Sequence, residues 1–227
     1  MAPDFSGITR EMTKTEKQLK GFEGKINGMF GGIAKGLGVN LAALTKVGLI
    51  VGAIKALASF GKQAVRVASD LQEVQNVVDV TFGSMSNQVN EFASNATKQF
   101  GLSELSAKKF TSTMGAMLKS SGITGQAVTD MSIEIAKLTA DMASFYNLDA
   151  EEAFAKIRSG LSGETEPLKQ LGINMSVANL QAYALSQGKN KSWQERGQAE
   201  QTMLRYNYLL SATGDAQGDF ARTSGSW

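Results

Sequence analysis

Apolar positions recur along most of this chain at helical spacing. Leu44, Val47, Val51, Ile54 and Ala58 fall 3-4-3-4 apart, the seam of a coiled coil or bundle helix. Val128, Met131, Ile135, Leu138, Met142 and Phe145 step 3-4-3-4-3, the cleanest stripe in the sequence and the expected core of its C-terminal part. No convincing run of alternating β-branched residues competes. "VVDVTF" (77–82) comes nearest, and it sits at the end of a helical pattern. Proline occurs only at 3 and 167, so little interrupts a helix. The pattern predicts an all-α protein.

Punctuation divides it. Residues 7–27 are polar with sparse apolar positions, and "GMFGGIAKGLG" (28–38) carries five glycines in eleven residues, a hinge or a close approach of backbones. From Asn40 to about Phe82 there is no proline, and a helix of roughly 42 residues would be about 63 Å long. After Gly83 the expected helices are shorter. One covers 85–100 and stops at Gly101, and a second runs from Ser103 to Ser121. A third is capped by Thr124. A fourth starts near Asp149, with Glu151 and Glu152 at its positive end and Ala150, Phe154, Ile157 and Leu161 inward. Ser176 caps a short helix to Ser186, and a last helix over 193–213 puts Ala199, Met203, Tyr206 and Leu210 on one side. The expected architecture is an elongated, glycine-rich helical segment over 1–82 and a compact multi-helix domain over 83–227.

Composition narrows the chemistry. The 227 residues include no cysteine and no histidine. Thiolate metal sites, disulfides, cysteine nucleophiles and Ser-His-Asp arrangements are therefore excluded, and the commonest general base near neutral pH is missing. The reading is of a non-enzyme with no catalytic residue, metal or cofactor. Net charge is +2, but residues 1–70 hold ten Lys/Arg against five Asp/Glu, while 71–227 hold thirteen against sixteen. The start of the sequence, "MAPDFSGITREMTKTEKQLK", is polar and lacks the basic tip and apolar stretch of a secretory signal, which predicts a cytoplasmic origin.

One stretch invites a chemical reading. "KIRSGLSGETEPLKQLGI" (156–173) sets glycines beside Glu164 and Glu166. A phosphate loop would need G-x-x-x-x-G-K-[ST], which is absent, and the two carboxylates would repel the phosphate. As a hydrolase pair they have no visible tuning partner. A helix–helix corner accounts for every letter: a helix ends at Gly160 or Gly163, another starts with Pro167 in its first turn, and that one ends at Gly172.

The corner also carries a resemblance. "LTADMASFYNLDAEEAFAKIRSGLSGETEPLKQLGI" (138–173) resembles the signature of phage tail tape measure proteins. The likeness continues in "LQEVQNVVDVTFGSMSNQVNEFASNATKQFGLSE" upstream and "YNYLLSATGDAQGDFARTSGSW" downstream, over about residues 65 to 227. It implies a structural protein that sets tail length and nucleates the tail tube, located in the virion tail after assembly in a bacterial cytoplasm. It further implies that the sequence is the N-terminal part of a longer polypeptide. The implied partners are the tail tube protein, tail-tip or baseplate proteins, tail assembly chaperones and copies of itself, as a trimer in preference to a hexamer. Membrane contact is implied only during DNA ejection.

The segment 28–60 leaves an alternative open. "VGLIVGAI" contains Gly48 and Gly52 at the spacing that lets helices touch backbone to backbone, beside Leu44, Val47, Val51 and Ile54. These six residues are the expected oligomer or partner contact. A membrane-active protein using 28–60 is the competing reading. Against it, Lys35, Lys46 and Lys55 leave no uncharged window of the ~18 residues a spanning helix needs. Lys25, Lys35, Lys46, Lys55, Lys62 and Arg66 are interleaved with few aromatics and no groove-reading motif, so no specific nucleic acid is expected.

Overall fold

The protein divides into two units, 1–65 and 66–227. The computed structural model describes residues 69–224, all within the second. The seam at 44–58, the glycine-rich stretch 28–38 and the basic residues 25 to 66 lie outside the described residues.

Every regular element among the described residues is helical. Helix α1 is described over 69–82 and continues through a 3-10 turn, Gly83–Met85, into α2, Ser86–Phe100. Then follow α3 (Glu104–Ser120), α4 (Gln126–Tyr146), α5 (Ala150–Ser162) and the one-turn α6 (Glu166–Lys169). Helices α7 (Val177–Ser186), α8 (Gln198–Ala212) and α9 (Asp219–Ser224) complete the order. They pack into one bundle, in which α4 touches α2, α3, α5 and α9.

The bundle extends upstream of residue 83. Val78 and Phe82 of α1 are buried in the same core as Met114, Leu118 and Ile135, and the Lys119 ammonium donates to the carbonyl of Thr81. The "VVDVTF" stretch is thus helical, and its burial follows helical spacing: Val78, Thr81 and Phe82 are buried, whereas Val80 is 83% exposed.

Local signals set most boundaries. Ser103 starts α3 by accepting the Ser106 amide at 3.0 Å, and Ser176 starts α7 by accepting that of Asn179 at 3.4 Å. Helix α4 differs from expectation at its start. Thr124 stands one residue too early, and Gly125 takes the cap position at φ 68° without a side-chain cap bond. Val128, Met131, Ile135, Leu138 and Met142 of the stripe are buried, whereas Phe145 is 45% exposed. A 3-4 repeat drifts by roughly 20° per heptad around a straight α-helix, which carries its last member out of the buried sector. Stacking of Phe110 on Phe154, with ring centroids 4.4 Å apart, joins α3 to α5.

The last long helix is shorter than 193–213, because residues 193–197 form turns and α8 starts after Gly197. Its fully buried residues are Thr202, Leu204 and Leu209, while Ala199, Met203, Tyr206 and Leu210 are half-buried. Helix α8 packs on both α5 and α7, so no single stripe carries its burial.

Candidate functional site

The corner at 156–173 consists of two consecutive helix terminations. At the first, the Glu164 amide donates to the Ser159 carbonyl at 2.9 Å and the Gly163 amide to that of Gly160 at 3.2 Å. This is the paired closure of a Schellman motif, and Gly163 takes φ 106° to make it. Pro167 stands in the first turn of α6, where its missing N–H removes no helical bond. At the second, the Ile173 amide reaches the Leu168 carbonyl at 3.1 Å, the Gly172 amide reaches that of Lys169 at 2.9 Å, and Gly172 takes φ 82°.

Gly160 serves differently. It is helical and buried, and a Cβ there would lie 2.1 Å from Cδ1 of Leu168, itself fully buried. Its missing side chain lets α6 fold back onto α5. Lys156 ties the two sides together, reaching Glu152 at 3.3 Å and the Gln170 side chain at 3.3 Å. Glu164 and Glu166 point away from this packing. Both are exposed, and the Glu166 carboxylate meets Lys169 at 3.5 Å.

Arg205 of α8 leans on the corner. Its guanidinium lies 5.0 Å from the Trp193 ring centroid and donates weakly to the Leu161 carbonyl at 3.5 Å. Burial pulls its pKa down. Beside it, the Tyr206 phenol is pushed up to about 12, first by burial and then by the charges of Glu134 and Asp130.

A second constellation joins distant parts of the sequence. The buried Asp141 carboxylate of α4 accepts from the Gly218 amide at 2.8 Å and the Phe220 amide at 3.2 Å, capping α9 from another helix. The Ser144 hydroxyl donates to Asp219 at 2.7 Å. Phe220 lies over Gly101, where φ is 67° and a Cβ would come 2.5 Å from the ring. A recess of about 490 Å³ beside this dock is lined in part by Phe100, Leu102, Leu148 and Phe220. Sequence reasoning singles out neither Asp141 nor Phe220, although a lone carboxylate within the apolar face of "LTADM" is the readable trace of a buried partner.

Chemically, both places hold backbone. Among the described residues no cluster of three or more Asp or Glu is arranged to hold a metal, and no helix is long and apolar enough to cross a membrane. Of the residues expected to matter, Gly160, Gly163, Pro167 and Gly172 come together at the corner. Leu44, Val47, Gly48, Val51, Gly52 and Ile54 lie outside the described residues. Comparison with protein families, with curated proteins and with solved structures returns no match.

Proposed function

We propose that this chain is a structural tape measure protein of a phage tail or tail-like particle, with the 66–227 unit as a helical head and no catalytic role. The observation that carries this reading is the convergence of the sequence segments that bear the resemblance. Gly101 lies in "FGLSE", Asp141 in "LTADM" and Phe220 in "GDFARTSGSW", and the three meet in one dock. The fourth segment, "SGLSGETEPLKQLGI", forms the corner on the same bundle. Such residues hold a shape, which is what a scaffold for assembly requires.

The mechanism is geometric. A helical ruler of n residues measures about 1.5 Å times n. Tube subunits polymerise around it, and growth ends when it is covered. The head supplies a folded body against which tail-tip proteins, assembly chaperones or further copies of the protein dock, three-fold assembly being favoured over six-fold.

The test is electron microscopy of particles from a producer in which this reading frame is interrupted. Missing tails, or tubes of unregulated length, are expected. Tails of normal and uniform length would overturn the assignment.

A further inference from the structure

The loop between α7 and α8 surrounds a recess of about 320 Å³, at the lower end of the ~300–1,000 Å³ of small-molecule sites. Its lining includes Lys189, Asn190, Arg196 and Glu200, with Met203 and Leu204 as the apolar part. Arg196 is 6% exposed. Its Nη2 donates to the carbonyls of Lys189 at 3.0 Å and Lys191 at 2.6 Å, while its buried Nε has no partner.

Glu195 and Glu200 feel the charge of Arg196 through space, without a direct ion pair. The Glu195 carboxylate is taken up by the Ser192 amide and hydroxyl, each at 2.7 Å. That of Glu200 is taken up by Lys191 at 3.2 Å. Neither Arg196 nor Lys189 makes an ion pair among the described residues. Lys189, Lys191 and Arg196 stand against Glu200 on the lining, with Glu195 beside Arg196, so the recess keeps an excess of positive charge that an anion would offset. Glu200 on the same wall favours a singly charged anion over a dianion. The apolar side formed by Met203 and buried Leu204 suits a ligand with carbon attached.

We propose that this recess binds a carboxylate carried on a short apolar body, with Arg196 and Lys189 facing the carboxylate and Met203 and Leu204 the apolar body. That chemistry belongs to the C-terminal residue of a peptide and to a free short aliphatic acid. The proposal stands apart from the tail assignment.

The full-length protein, labelled with nitrogen-15, is titrated by NMR with four probes: N-acetyl-leucine, hexanoate, N-acetyl-leucinamide and inorganic phosphate. Saturable shifts centred on 189–204 are expected with the acids and not with the amide or phosphate. A response to N-acetyl-leucine alone assigns a peptide C-terminus, and one to hexanoate alone assigns a free acid. Arg196→Lys would release the two carbonyls that shape the loop, so the variants are placed on the rim. Lys189→Gln should weaken binding roughly two- to fivefold. Glu200→Gln removes a like charge and frees Lys191, so it should tighten binding by roughly the same factor. Saturable binding by neither acid, equal or tighter binding of the amide or phosphate, or weaker binding by Glu200→Gln would overturn the proposal.

Discussion

The corner at 159–173 is closed by backbone hydrogen bonds that span five residues or fewer, whereas the α9 dock is closed by bonds spanning 75 to 79. The corner depends on apolar contact and on glycine, with Leu168 pressed against Gly160. The dock depends on one buried carboxylate, with Phe220 laid over Gly101. Local closure asks only that the backbone bend at the right residue. Distant closure asks that the whole bundle be assembled first, and it concentrates its cost and its gain in a few polar atoms.

Removing the anchor of each region should separate them most clearly. Leu168→Ala empties a fully buried site and is expected to cost about 2–5 kcal/mol in chemical denaturation. An unchanged transition midpoint would show that the corner does not rest on this contact. At the dock, Asp141→Ala leaves the Gly218 and Phe220 amides without their acceptor, an expected loss of about 1–3 kcal/mol. Hydrogen exchange should then rise at 218–224 far more than at 159–173. Equal loss of protection in both regions would mean that the two closures form one cooperative unit.

Smaller effects refine the contrast. Gly163→Ala puts a Cβ where φ is 106° and the Arg205 guanidinium lies 2.9 Å away, for an expected cost of about 1–2 kcal/mol. A neutral or stabilising outcome in thermal melts would remove backbone conformation as the reason for that glycine. The double variant Glu164→Gln, Glu166→Gln should leave stability within about 0.5 kcal/mol of the parent, since both side chains are exposed. A larger change, measured in the same melts, would give those carboxylates a role that the geometry does not.

The same contrast explains what is legible in the sequence. The all-helical bundle can be read because its apolar residues recur every three or four positions, and the ends of α2, α3 and α7 because Gly101, Ser103 and Ser176 act on neighbours. Corner geometry is similarly local. Phe145 departs from its expected place because a 3-4 stripe is straight only on paper, while the helical period drifts. The dock is illegible because nothing near Asp141 in sequence names Gly218 as its partner, and sandwiched α8 shows no single stripe. The upstream reach of the core is hidden for a related reason: Phe82 precedes a glycine that looks like a boundary, and only its contacts show which side it belongs to.

The reach of the Asp141 bonds has a consequence for the order of events in time. Segments of low sequence separation close first, because a long loop must lose its freedom before a distant contact rewards it. Helices α2 to α5 can therefore associate while α9 is still unattached, and the carboxylate is expected to find its amides after the main barrier. Asp141→Ala should then speed unfolding at an unchanged folding rate. Bonds made that late leave the rate of folding nearly untouched and act on the rate of escape from the native state. The few atoms that join α4 to α9 would thus stabilise the bundle by lengthening its lifetime, not by hastening its formation.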